Sequence, residues 1–161
     1  MFNPDEDGVY ARVQASAGRA IFAYGVLFVL GALVIYATLM QPPSGGWMIF
    51  MLGFGGLMIW VAEKQRRAAK LEILLTADEV VDSQGRLLAR LDDITSVSRG
   101  ALAIKPSNGF TLVTRDRAPR AYVPGMWWRI GRRVGVGGIT GAGQTKFMAE
   151  QIALRIKQRD G

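Results

Sequence analysis

No histidine and no cysteine occurs among the 161 residues. That removes the imidazole general base, the Ser-His and Cys-His nucleophile pairs, thiolate or imidazole zinc sites, iron-sulfur ligation and His-ligated haem. Carboxylates, lysine, tyrosine and backbone remain. Two adjacent acidic pairs, Asp78-Glu79 and Asp92-Asp93, lie beyond Lys70. Sequence neighbours point apart, so a shared catalytic or metal role would need partners from elsewhere, whereas aspartate at a strand end readily caps a turn. Turn capping is the expected role of both pairs, and an enzyme acting on lipid through Asp92 is the remote alternative. Gly138–Thr145 (GITGAGQT) approaches the phosphate-cradling pattern G-x-x-x-x-G-K-[ST], but Gln144 stands where the lysine belongs. Without that cation the phosphate charge loses its main partner. Nucleotide is therefore not expected, and the glycines should let a strand bend into a helix. The expectation is a protein without catalytic residues, metal or cofactor.

The richest interaction signal is basic. Arg115, Arg117, Arg120, Arg129, Arg132 and Arg133 stand against one acid, Asp116, with Tyr122, Trp127 and Trp128 interleaved. Guanidinium groups pair with phosphates or carboxylates, and indoles anchor in headgroups or protein pockets. The stretch reads as a solvated basic face, as a contact for lipid or an acidic partner, or, last, as a nucleic-acid surface. Base stacking usually needs more exposed aromatics, so no nucleic acid is expected.

The elements that position these residues belong to two solvents. Ala20–Met40 runs 21 residues without a charge, about 31 Å as helix, which matches a bilayer core. Gly46–Ala62 is also uncharged, with Trp47 and Trp60 near its ends, where amphipathic rings favour the interface. The intervening 41–45 segment, within QPPSGG, is a turn by composition. A cleaved signal peptide fits poorly. Asp5, Glu6 and Asp7 lead the chain where a basic cluster would be needed, and no small-x-small site precedes Gln41. The reading is a transmembrane hairpin over 20–62, with residues 1–19 as a separate leading segment.

Basic residues orient it. The hairpin loop has none, the leading segment has Arg12 and Arg19, and the second helix exits through Lys64, Arg66, Arg67 and Lys70. By the positive-inside rule both ends should be cytoplasmic. Residues 71–161 hold 14 of the chain's 20 basic residues and 9 of its 13 acidic ones, so the soluble part is itself basic. Anionic headgroups would attract it. Gly53, Gly55 and Gly56, with Gly25 and Gly31 in the first span, remove bulk and should let the two helices pack closely or dock on a larger membrane complex.

After Lys70 the pattern changes to short strands. Leu71–Thr76 with Val80-Val81 and Arg86–Leu91 read as a hairpin about Ser83-Gln84-Gly85, and further strands fit Ala101–Ile104, Phe110–Thr114 and Ala121–Val123. Lys105–Gly109 should turn the chain, since Asn-Gly tolerates positive φ. Trp127–Val136 alternates, so Trp128, Ile130, Arg132, Val134 and Val136 should share the inner face, with Trp127 outward beside Arg129 and Arg133. From Ala142 to Arg159 the period becomes helical, with Met148, Ile152 and Ile156 in one stripe. The expected fold is a membrane α-helical hairpin plus a small α+β domain over 71–161, its strands forming an antiparallel β-barrel or curled sheet plugged by the last helix.

Two spans followed at once by strands, the phrase RLLARLDDITSV at Arg86–Val97 and a final amphipathic helix resemble membrane-anchored bacterial proteins with a PH-like domain. The stretch PGMWWRIGRRVGVGGIT, Pro124–Thr140, resembles small membrane proteins of alphaproteobacteria. The resemblance implies protein association or complex assembly at the inner membrane, and it transfers no catalytic residue. Membrane lipids and a larger membrane-protein complex are the implied partners. Sensing of anionic lipid headgroups is the alternative function.

Overall fold

The computed structural model describes residues 3–99 and 108–161 and divides the chain into two compact units, Ala17–Arg67 and Met1–Ser16 with Ala68–Gly161. The first unit consists of helices α1 (Ala17–Met40) and α2 (Gly46–Ala68). Both are long and apolar enough to cross a membrane. Only 6% and 11% of their most apolar stretches are buried, whereas a core helix of a soluble domain is mostly covered. Phe22, Val29, Leu33, Ile49, Phe50 and Leu57 are among the side chains left exposed. Their shell is apolar all round, as lipid would require and water would penalise.

The helices touch at two of the glycines. A Cβ on Gly31 would lie 2.8 Å from the Gly55 carbonyl oxygen, and one on Gly55 would lie 2.9 Å from that of Gly31. Gly25, Gly53 and Gly56 face open space. Close approach of the two helices thus falls at Gly31 and Gly55, while Gly53 and Gly56 turn elsewhere, because glycines one or two positions away on a helix point to other faces. Thr38, buried in the same unit, donates its hydroxyl to the Val34 carbonyl at 2.7 Å, so its polar group is satisfied within α1.

The second unit starts before the helices. Strand β1 (Ala11–Gln14) pairs antiparallel with β2 (Glu72–Leu75), with Ala11 opposite Leu75 and Gln14 opposite Glu72. β2 pairs in turn with β3 (Glu79–Asp82), and β3 with β4 (Leu87–Arg90), giving a four-stranded antiparallel sheet in the order β1-β2-β3-β4. The leading segment is therefore a strand of the soluble unit, and α1 and α2 are inserted between two neighbouring strands of one sheet. Its apolar alternation is short, with Val9, Ala11 and Val13 buried, and the adjacent acids mask it in the sequence.

A short helical turn, Leu91–Asp93, leads into the second sheet, β5 (Ile94–Ser98), β6 (Phe110–Val123) and β7 (Trp127–Val136), in that order. The strands expected at Phe110–Thr114 and Ala121–Val123 are one continuous β6. It stays continuous because register shifts absorb its irregular middle, between Val113 and Ala118 and again between Ala118 and Ala121. The strand expected at Ala101–Ile104 and the start of its turn lie outside the described residues. Asn108, at φ 55°, adopts the left-handed conformation expected of that turn. An isolated antiparallel bridge, Ala15 to Thr140, links the end of β1 to the segment after β7.

Helix α3 (Ala142–Asp160) packs on β1, β5 and β6. Met148, Ala149 and Ile152 are fully covered, and the core they meet contains Val13, Ile73, Leu75, Ile94, Phe110 and Leu112. Arg155 and Arg159 fasten its last turns. Arg155 donates to the Thr76 carbonyl at 2.8 Å and stacks over Tyr10 at 4.0 Å, and Arg159 donates to the carbonyls of Leu91, Asp92 and Ile94.

Candidate functional site

Both acidic pairs lie at turns, Asp78 in the bend before β3 and Asp92 and Asp93 in the short helical turn before β5. Asp93 accepts a hydrogen bond from the Asp116 backbone N–H at 3.2 Å, and the Asp78 carbonyl accepts from the Leu91 N–H at 2.8 Å. Asp78, Glu79 and Asp92 nevertheless line one open depression with Thr76 and Arg90, a proximity that their spacing in the chain does not reveal. Among the described residues no three His, Cys, Asp or Glu side chains come close enough to hold a metal ion. A different acid, Asp82, is the buried one. Its oxygens accept from the backbone of Gln84 and Arg86 and from the Arg86 guanidinium at 2.7 Å, which closes the turn between β3 and β4.

The glycine-rich approach to α3 is also occupied. The Gln144 side-chain oxygen accepts the Gln14 N–H of β1 at 2.9 Å, and the Gly141 N–H donates to the Gln14 carbonyl at 3.1 Å. Thr145, buried, donates its hydroxyl to the Asn108 carbonyl at 2.6 Å. The residues that would face a phosphate in a nucleotide-binding loop hold β1 and the start of β6 in place.

The arginine-rich stretch forms the hairpin β6–β7, whose middle is bulged. Val113 opposes Arg133 and Ala118 opposes Gly131, so four residues of β6, Thr114 to Arg117, face Arg132 alone. The Thr114 hydroxyl closes this bulge on the carbonyls of Asp116 and Arg132. Arg115, Arg117, Arg120, Arg132 and Arg133 are all exposed around it. Arg129 differs: it donates to the Pro119 carbonyl at 2.8 Å and to the Leu87 carbonyl of β4 at 2.6 Å, so it joins the two sheets and is not a free contact residue.

The tryptophans are the reverse of the sequence expectation. Trp127 is 2% exposed and belongs, with Met126, Phe110 and Leu88, to the largest buried side chains, with the Arg86 guanidinium 5.8 Å from its ring. Trp128 is half-exposed and lies over Gly135, where any Cβ would collide with its ring. The cause is Gly131, which takes φ +61° opposite the bulge. This resets the alternation, so Trp127 before it and Val134 and Val136 after it all point inward while Ile130 is 55% exposed. Tyr122, directly opposite Trp128, is 71% exposed. Regular alternation would have found Trp127 only if the bulge were known, and no residue but the glycine signals it.

At the exit of α2 the basic cluster is partly neutralised. Glu63 binds Arg66 at 2.7 Å and Arg67 at 3.0 Å, and the Lys64 ammonium sits 4.2 Å from the centre of the Trp60 ring. Lys70, in the turn after the helix, completes the cluster. Arg12 is held by Asp5 at 2.8 Å and Asp7 at 2.9 Å. No protein-family model matches the chain, and no curated protein or solved structure shows significant similarity to it.

Proposed function

We propose that the chain is a non-enzymatic accessory or assembly subunit of a bacterial inner-membrane protein complex. In this reading α1 and α2 cross the bilayer as a hairpin, both chain ends are cytoplasmic, and a PH-like domain engages the partner at the membrane surface. The observation that carries it is the insertion of two lipid-compatible helices between the paired strands β1 and β2. Gln14 and Glu72 are partners in one ladder, so a chain that crosses the membrane along α1 must return along α2 to complete the sheet. Cleavage after α1 would also take β1 away from β2, which argues against a signal peptide. The basic residues Lys64, Arg66, Arg67 and Lys70 favour the cytoplasm for that shared side. Two antiparallel sheets followed by a C-terminal helix support the PH-like reading.

The test is purification from the membrane in mild detergent, followed by mass spectrometry of what accompanies the chain. A reproducible membrane-protein partner is expected, and its loss on charge reversal of the β6–β7 arginines or on disruption of the hairpin would locate the contact. A chain that migrates alone in every detergent would overturn the assembly role.

A further inference from the structure

Strands β6 and β7 carry six arginines and one acid. Arg129 is consumed by carbonyls of the fold, and Arg115 lies within electrostatic reach of Asp160. Arg117, Arg120, Arg132 and Arg133 remain exposed on the bulged corner, and none of them forms an ion pair among the described residues. Like charges gathered on one hairpin repel one another until an anionic surface meets them. The neighbouring surface is apolar. Tyr122 and Trp128 are cross-strand partners and so share a face, and Ile130, two residues along β7, shares it with them. Arg120 belongs to the smaller bulge, opposite Ile130.

This combination suits the headgroup zone of a bilayer. Phenol, indole and aliphatic side chains settle between water and hydrocarbon, while guanidinium groups chelate phosphate oxygens. The tether favours lipid over a free acidic segment. Only Ala15 and Ser16 separate β1 from α1, and only Ala69 to Leu71 separate α2 from β2. A linkage that short keeps a bilayer surface at high effective concentration. We infer that the β6–β7 corner docks on the anionic lipid surface of the membrane that holds the hairpin, with Arg117, Arg120 and Arg132 on headgroup phosphates and Tyr122, Trp128 and Ile130 in the interface. The inference rests on the reading of α1 and α2 as membrane spans.

Because the chain has no cysteine, one introduced thiol is unique. Tyr122→Cys and Ile130→Cys, each carrying an environment-sensitive fluorophore, are placed in nanodiscs that hold one full-length chain each. Discs of phosphatidylcholine alone are compared with discs that include phosphatidylglycerol. In the anionic discs the emission should shift to the blue and the label should escape an aqueous quencher, and ~1 M salt, where the screening length is about 3 Å, should reverse both. Replacing Arg117 and Arg132 by Gln should lower the docked-to-free ratio roughly 25-fold, about fivefold for each arginine. A label equally accessible in both lipids overturns the inference, as does shielding that appears only when an acidic protein is added. Should the double variant misfold, the salt response of the labelled parent chain decides alone. Failure to enter the discs at all would refute the membrane-span reading instead.

Discussion

Gly31 and Gly55 are the positions where one methyl group has the largest consequence in the hairpin. Each Cβ would be driven against a backbone carbonyl, which cannot rotate away as a side chain could. Gly55→Ala is expected to destabilise the helix pair by about 1–3 kcal/mol, as overpacking does, whereas Gly53→Ala and Gly56→Ala, in open space, should leave it unchanged or slightly firmer. Thermal unfolding of the three variants in one detergent separates these outcomes. In the soluble unit a buried ring and an exposed guanidinium should part in the same way. Trp127→Ala removes a buried ring and is expected to cost about 3–5 kcal/mol in a urea titration, while Arg117→Ala, exposed and without an ion pair among the described residues, should stay within about 0.5 kcal/mol. The arginine count, the acidic pairs and the missing histidine were legible in residue types alone. Which tryptophan enters the core was not, since a single left-handed glycine decides it.

Strand β1 and the approach to α3 depend on each other. Gln144 supplies an acceptor to Gln14, so Gln144→Lys, which completes the phosphate-loop pattern on paper, replaces an acceptor by a cation. Calorimetry with ATP and magnesium should show no binding, and hydrogen exchange at Gln14 should speed up by the loss of one hydrogen bond of about 1 kcal/mol. The leading turn before β1 responds to acid. The Val9 N–H and then the Arg12 guanidinium hold the Asp5 carboxyl below the usual carboxylate range. A depressed acid stabilises the fold above its unfolded value and loses that contribution as pH falls through the folded one. Exchange at Val9 should therefore accelerate only below about pH 4. In β7, Gly131→Val is expected to cost about 1–3 kcal/mol, because a β-branched residue resists φ +61°. The hairpin helices, the β2–β4 strands and α3 were readable from their own periodicity. β1 and the continuous β6 were not, because four apolar-alternating residues and a bulged strand carry too little period to stand out from loops.

Insertion of the helix pair between two strands of one sheet would tie the proposed membrane topology to folding of the domain. The order β1-α1-α2-β2 means that the first sheet cannot close until both helices have been made and, in the proposed topology, the chain has returned to its starting side. Single cysteines at Asn3 and at Gly161 should react with an impermeant thiol reagent from the same side of sealed vesicles, and Ser44→Cys, in the connection between the helices, from the other. Reactivity of Asn3 and Gly161 from opposite sides would rule out the hairpin. Length, hydropathy and charge by themselves determined that this protein has two membrane-length helices, a basic second half and no imidazole or thiol chemistry, because those properties add up along the chain whatever its fold. Only the tertiary structure decided that residues 11–14 belong to the domain beyond the helices, that Gly31 meets Gly55, and that Tyr122 and Trp128 rather than Trp127 face outward. Each of those depends on pairing between distant segments, and register in a ladder is set by both strands together, so neither strand's sequence contains it alone.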